Sequence, residues 1–131
     1  KNQELFVMEL CIVDNKEKIM DLKNDTVREP ENMFFITCMS KLEEDQYGPN
    51  YGASRTFGYY KTFEDCVESL KCNNCDMHEH LYVYAVVEKI EEGIHPLALE
   101  RWWYKYDSEK DGFFPMEEPE FMKHYINIAL G

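Results

Sequence analysis

The run from residue 81 to residue 88 constrains the fold more than any other part of the chain. It is rich in Val and Tyr, and the residues at every second position are apolar: Leu81, Val83, Ala85 and Val87. Because successive side chains of a strand point to opposite faces, this period of two predicts a β-strand with one apolar face. It is the clearest single element that the sequence predicts.

Four further runs rich in apolar and aromatic residues also predict strands, at residues 33–39, 55–60, 101–106 and 112–116. A polar segment with Pro30 precedes the first of them at residues 24–32, and one with Pro and Gly separates the first two at residues 41–54. The second of these suits either a flap over a site or an ordinary long hairpin connection. We therefore predict an α+β domain with an antiparallel sheet of about five strands and two or three helices.

Two helices are predicted beside these strands. Thr62 opens the first as an N-cap, with Asp65 completing a short capping box. Its apolar residues share one face: Phe63, Cys66, Val67 and Leu70. Pro119 marks the start of the second, C-terminal helix. The apolar side of that helix comprises Phe121, Met122, Tyr125 and Ile128.

The sequence predicts an N-terminal helix at residues 1–24 and a sheet-and-helix body at residues 33–131. Together they form a single domain that covers residues 1–131. The apolar residues on its heptad a and d positions are Leu5, Met8, Ile12, Ile19 and Leu22. Such a helix suits either the core or an interface between subunits. A strand at residues 5–13 is the alternative, because short apolar runs fit both structures.

The net charge of −12 argues against broad contact with a DNA or RNA backbone, which needs clustered Lys and Arg. Three interpretations remain: a solvated acidic surface, a soluble protein with a local basic pocket, or a decoy for a nucleic-acid site on another protein. The odd count of five cysteines indicates reduced thiols in a cytoplasmic protein. The apolar runs are too short to cross a membrane.

A C-x2-C-x2-H-x-H cluster, formed by Cys72, Cys75, His78 and His80, contains the ligand types of a zinc site. Its spacing is too tight for the usual structural sites, in which a longer loop separates two ligand pairs. Cys72 is also expected at the end of a helix, whereas a reactive thiolate needs a helix N-terminus. We therefore predict no metal and no cofactor. Since no catalytic motif stands out, we also expect a binding protein rather than an enzyme.

Arg55 and Arg101 each open a strand that is rich in aromatic residues. Strand alternation gives two sets that each share a face: Arg55, Phe57 and Tyr59 in one strand, and Arg101, Trp103 and Lys105 in the other. If the two faces coincide, these six residues could bind a nucleotide through its phosphate and its base. Cross-strand aromatic packing with arginine at its rim would give the same pattern. In both cases we expect the guanidinium groups to lie outside the core.

Five segments carry a likeness to known proteins: RTFGYY at 55–60, NNCD at 73–76, YAVVE at 84–88, WWYKYD at 102–107 and the end of the chain at 117–131. They resemble small phage and prophage proteins of Firmicutes, and in particular the phage anti-Thoeris sponge family, first class. The resemblance covers residues 55–131. It implies a protein that sequesters the cyclic ADP-ribose signal of a bacterial immune system without degrading it. It also implies a dimer or larger oligomer that holds the ligand near subunit interfaces.

The resulting hypothesis is a phage protein that acts in the cytoplasm of the bacterial host by sequestering a cyclic nucleotide. It would form a homo-oligomer and would bind neither DNA, RNA nor a membrane. The alternative is an acidic inhibitor that mimics nucleic acid and blocks a host defence protein such as a CRISPR effector.

Overall fold

The computed structural model describes residues 29–79 and 81–131. The elements follow in the order β1 (Asn32–Met39), β2 (Glu43–Asp45), β3 (Gly48–Asn50), β4 (Ser54–Tyr60), α1 (Phe63–Lys71), β5 (Tyr84–Glu91), β6 (Ala98–Asp107) and β7 (Gly112–Met116). Short 3-10 turns lie at Asn74–Asp76 and Glu120–Met122. The helix predicted at residues 1–24 lies outside the described residues. Within the described part of the chain, no helix is long and apolar enough to span a membrane.

Five strands form one antiparallel sheet in the order β4-β1-β5-β6-β7. The α+β class and the five-stranded antiparallel sheet were therefore predicted correctly. The strand expected at residues 81–88 runs instead from Tyr84 to Glu91. The loop at residues 41–54 contains the hairpin β2–β3, whose two strands pair antiparallel. This hairpin matches the second of the two interpretations of that loop.

One face of the sheet, which we call the helix face, packs against α1. Its buried strand residues are Ile36, Cys38, Ala85, Val87, Tyr104 and Phe113. The predicted N-cap of α1 is confirmed, because Thr62 Oγ1 accepts a hydrogen bond from the Asp65 N–H at 3.3 Å. The predicted apolar face is also confirmed, since Cys66 and Leu70 are fully buried in the same cluster.

The opposite face, which we call the tail face, is covered by the C-terminal segment at residues 117–131. Met39, Val86 and Trp103 pack there against Met122 and Ile128. The apolar residues predicted for the C-terminal helix are therefore the ones that pack on the sheet. The prediction of a helix in this segment was wrong. The described residues hold one α-helix, α1, and the C-terminal segment has only the 3-10 turn at Glu120–Met122.

A buried carboxylate explains why no helix forms there. The side chain of Glu88 is 0 % exposed and points into the tail face. Its Oε1 and Oε2 accept hydrogen bonds from the Ile128 N–H at 3.0 and 2.8 Å, and its Oε1 accepts one from the Ala129 N–H at 2.8 Å. In a helix these two N–H groups would bond to carbonyl groups four residues earlier.

The carbonyl groups of the same segment are engaged as well. Arg101 donates from one terminal nitrogen to the Tyr125 carbonyl and from Nε to Glu88 Oε2 at 2.8 Å. The Ile126 carbonyl accepts a hydrogen bond from the Ala98 N–H at 2.7 Å. The backbone of the C-terminal segment thus bonds to the sheet, which leaves too few free groups for an α-helix.

We expect Glu88→Gln to lower the free energy of unfolding by about 3–5 kcal/mol, because it removes the closest and fully buried counter-charge of Arg101. Denaturant unfolding followed by circular dichroism would measure the loss. Glu100→Gln is the matched control, since its ion pair with Lys89 at 3.9 Å is partly exposed and should contribute at most about 1 kcal/mol. Equal stability of the two variants would contradict a structural role for Glu88.

Candidate functional site

A β-bulge divides the first of the two predicted residue sets. Thr56 pairs with Thr37 and Gly58 pairs with Ile36, so Phe57 is the extra residue in β4. Each residue beyond a bulge points to the opposite face from the one that simple alternation predicts. The prediction that Arg55, Phe57 and Tyr59 share one face was therefore wrong.

The ring contacts of β4 agree with this division. Phe57 lies on the helix face, with its ring edge-on to Tyr82 at 5.8 Å between centroids. The Arg55 guanidinium sits 5.0 Å from the centroid of the Phe57 ring. Tyr59 pairs with Phe35 instead, and their rings are 5.4 Å apart. Arg55 and Phe57 thus lie on the same face of the sheet, and Tyr59 lies on the opposite face.

The second set does share one face. Arg101, Trp103 and Lys105 lie on the tail face, opposite Glu88, Val86 and Tyr84 of β5. Their exposure differs, because Trp103 is 2 % exposed and the Arg101 side chain 8 % exposed, whereas Lys105 is exposed. The expectation that the guanidinium groups lie outside the core is wrong for Arg101. Arg55 does lie at the surface.

The two sets do not meet within one chain. β4 and β6 are three strand spacings apart in the sheet, a separation of about 14 Å. Arg55 and Phe57 also lie on the helix face, whereas Arg101 and Trp103 lie on the tail face. The condition for a combined site of all six residues is therefore not met in the single chain.

Two residues of each set line a cleft: Phe57 and Tyr59 line one, and Arg101 and Trp103 line another. The first, which we call the β4 cleft, has a volume of about 230 Å³. Its lining residues are Ile36, Phe57, Gly58, Tyr59, Tyr60, Ser69, Asn74, Cys75 and Met77. The Tyr60 hydroxyl and Ser69 Oγ share a hydrogen bond of 2.8 Å, and Asn74 Nδ2 donates to the same Ser69 oxygen at 3.2 Å. These polar groups already satisfy one another.

The second cleft, which we call the β7 cleft, is larger, at about 430 Å³. It opens because β7 ends at Met116, opposite Trp103, while β6 extends further to Ala98. Its lining residues are Phe63, Val67, Lys71, Arg101, Trp102, Trp103, Tyr104, Pro115, Met116 and Glu118. The end of β7 thus leaves a gap between α1, β6 and the start of the C-terminal segment.

Aromatic rings and one available cation define the chemistry of the β7 cleft. Trp102 lies 4.4 Å from Phe63 between ring centroids, which gives a broad apolar wall. Lys71, in the last turn of α1, is exposed and forms no ion pair with the described residues. Arg101 is already neutralised by Glu88, so Lys71 is the cation that the cleft can offer to an anionic ligand.

Glu118 is the carboxylate of the β7 cleft. Its Oε2 accepts a hydrogen bond from Trp103 Nε1 at 3.0 Å and lies 4.0 Å from Arg101 Nη1. The indole N–H of Trp103 is thereby satisfied even though the ring is buried. Glu118 thus fixes the wall of the cleft.

Sequence reasoning named Arg101 and Trp103 as site residues and missed the other residues that line this cleft, among them Phe63, Lys71 and Trp102. One ridge along α1 consists of residues at successive intervals of four: Phe63, Val67 and Lys71. A cation at the end of an apolar ridge is a signal that could have been read from the sequence. The gap left by the short β7 gives no such signal.

Cys72 and His78 of the predicted turn have local structural partners. Cys72 Sγ donates to Glu68 Oε2 at 3.4 Å, and this bond raises the pKa of the thiol. The His78 ring stacks on Tyr106 at 3.6 Å between centroids, and its Nδ1 lies 2.7 Å from the Tyr82 carbonyl oxygen. Among residues 29–79 and 81–131 no group of three potential metal ligands occurs, and His80 lies outside them. The absence of zinc stays a prediction.

Comparison of the chain with protein-family models, with curated proteins and with solved structures finds no match. The geometry of the two clefts is therefore the basis for a functional assignment.

We expect a thiol reagent at pH 8 to label Cys72 and Cys75 and to spare Cys38 and Cys66. The first pair is exposed, whereas burial raises the pKa of Cys38 and of Cys66 to about 12. Mass spectrometry of peptides from a Cys11→Ser variant would locate the label. Modification of Cys38 or Cys66 before unfolding would contradict their burial.

Proposed function

We propose that the protein binds a small nucleotide of the cyclic ADP-ribose type, or another cyclic nucleotide, and sequesters it without degrading it. The observation that supports this is the β7 cleft, whose lining includes the paired Trp102 and Phe63 rings and Lys71, a cation that forms no ion pair with the described residues. Its volume of about 430 Å³ falls within the range of small-molecule sites. The resemblance to the anti-Thoeris sponge family supplies the class of ligand.

The contacts available in the β7 cleft of one chain supply part of the affinity that a sponge needs. A base stacked on an aromatic side chain contributes about 1–3 kcal/mol. A charge-assisted hydrogen bond from Lys71 to a phosphate contributes about 1.5–3 kcal/mol. Several contacts of this kind must also offset the cost of association. A sponge that competes with a receptor needs micromolar affinity or better, equivalent to about −8 kcal/mol.

The polar groups of the cleft favour binding over hydrolysis. The carboxylate of the cleft, Glu118, accepts a hydrogen bond from Trp103 and lies close to Arg101, so it has a structural role in the wall of the cleft. The remaining lining is mainly apolar and aromatic. A ligand that binds there should therefore be released unchanged.

We also propose that the protein is a homo-oligomer that acts in the cytoplasm of a bacterial host. Arg55 and Phe57 lie at one edge strand of the sheet, while the β7 cleft lies near the other edge. The two can contribute to a single ligand only when two chains meet. A site between subunits, as the resemblance implies, would satisfy this requirement.

Light scattering at micromolar concentration should therefore give at least twice the chain mass of 15.7 kDa. Arg55→Ala should then weaken ligand binding even though Arg55 does not line the β7 cleft. A monomer that binds the ligand equally well with and without Arg55 would contradict the shared site.

The direct test of ligand binding is calorimetry with a panel of cyclic nucleotides that includes cyclic ADP-ribose variants. We expect Lys71→Gln to weaken binding about tenfold, because one charge-assisted contact is lost. Trp102→Leu should weaken it by a similar factor, because stacking is lost. Lys41→Gln removes an exposed cation outside the β7 cleft and should leave the affinity unchanged.

Mass spectrometry of the ligand released by heating would then show whether it is intact. Hydrolysed ligand, or a panel without any binder, would contradict the sponge hypothesis. Arg101→Ala is unsuitable as a binding probe. Arg101 is buried, so the loss of its guanidinium group should destabilise the fold.

One observation favours the alternative, an acidic protein that mimics nucleic acid. The strand β2 consists of Glu43, Glu44 and Asp45, and all three are exposed on the hairpin. Together with the net charge of −12, this surface could occupy a basic site on a host defence protein. The failure of the whole nucleotide panel would favour this function.

A further inference from the structure

A further cavity, which we call the hairpin cavity, lies between the β2–β3 hairpin and the C-terminal segment. Its volume of about 530 Å³ exceeds that of the β4 cleft and of the β7 cleft. The hairpin supplies two of its lining residues and the C-terminal segment four: Glu44, Pro49, Glu120, Phe121, His124 and Tyr125. Since all six line one space, a single ligand there contacts both elements.

Packing on the tail face fixes the base of the hairpin. The ring of Tyr51, directly after β3, lies 5.8 Å from the Tyr125 ring between centroids. Both residues pack against the buried cluster that contains Met122, and so does Leu42, directly before β2. The two walls of the cavity are therefore held opposite each other by apolar and aromatic contacts.

The charges that line the hairpin cavity favour a cation. Its lining contains two carboxylates, one from each wall, and neither lysine nor arginine. The Glu44 carboxylate is exposed and forms no ion pair with the described residues. Glu120 pairs with Lys123 at 3.0 Å, but this pair is exposed and weak, and Lys123 does not line the cavity. The charge balance is thus opposite to that of the β7 cleft.

Aromatic rings form much of the remaining wall. Phe121 and Tyr125 are partly buried, and His124 is exposed between them in the sequence. The face of an aromatic ring attracts a cation. A guanidinium group is planar, stacks on such a ring and donates hydrogen bonds to carboxylates from several nitrogen atoms. It therefore suits a cavity with carboxylates on two sides and rings in its wall better than a compact ammonium group does.

We propose that the hairpin cavity binds the guanidinium group of an arginine side chain that a partner protein presents. The net charge of −12 favours a basic partner, because complementary charge steers association and discriminates against acidic proteins. The volume of the cavity also leaves room for the backbone on either side of the bound arginine. This site does not rest on the nucleotide proposed for the β7 cleft.

The test is a titration of the full chain with a capped Gly-Arg-Gly peptide, followed by ¹H–¹⁵N NMR. Saturating shifts are expected at the amides of Glu44, Glu120, Phe121 and His124. The peptide with citrulline in place of arginine has the same shape without the charge and should give no saturating shifts. The peptide with lysine should bind about threefold more weakly, because an ammonium group does not stack on a ring. Tighter binding of a capped single arginine than of the peptide would indicate a small guanidinium compound and overturn the protein partner.

Glu44→Gln should weaken binding of the arginine peptide roughly fivefold, the contribution of one exposed ion pair. Glu43→Gln is the matched control, because Glu43 is the preceding exposed residue of β2 and carries the same charge, but does not line the cavity. Its affinity should equal that of the unmodified protein, and both variants should keep its melting temperature. An equal loss of affinity in the two variants would show attraction to the net charge alone. Either that result or the absence of saturating shifts would overturn the site.

Discussion

The ion pair between Glu88 and Arg101 is the interaction on which the rest of this structure depends. Both side chains are nearly or fully buried, and their closest atoms are 2.8 Å apart. A buried charge is costly unless it is paired and hydrogen-bonded. Here the remaining acceptor positions of Glu88 bind the N–H groups of Ile128 and Ala129. The pair therefore fastens the C-terminal segment to the sheet, and that segment in turn buries Trp103 and Val86.

The parts of the fold that could be predicted from the sequence are those with a local cause. The shared face of Ala85 and Val87 and the Thr62 cap with its apolar helix face are properties of neighbouring residues, and the structure agrees with them. The C-terminal segment has an equally good helical pattern, yet its backbone groups bond to Glu88, Arg101 and Ala98, far away in the chain. A tertiary interaction of this kind overrides local propensity and leaves no periodic trace.

The candidate site was harder to predict, because it depends on how the strands are arranged. One extra residue at Phe57 is enough to move Tyr59 to the other face, and Gly58 beside it is the only hint, since glycine within a strand often marks a bulge. The burial of Arg101 depends on Glu88, a partner on the neighbouring strand. The separation of β4 from β6 depends on the strand order, which the pattern of single strands does not contain.

The net charge of −12 and the proposed binding of anions are compatible, because the relevant charges are local. At physiological ionic strength, exposed charges are screened beyond about 8 Å, so most of the carboxylates contribute little at a given cation. Lys71 forms no ion pair with the described residues, and it lines the β7 cleft together with the aromatic rings of Phe63 and Trp102. A lower local dielectric constant strengthens the attraction between a nearby cation and a phosphate. This gain is larger than the repulsion between the phosphate and distant carboxylates. The acidic surface then opposes long-range attraction of anions, whereas Lys71 contributes to the affinity of a ligand that has reached the β7 cleft.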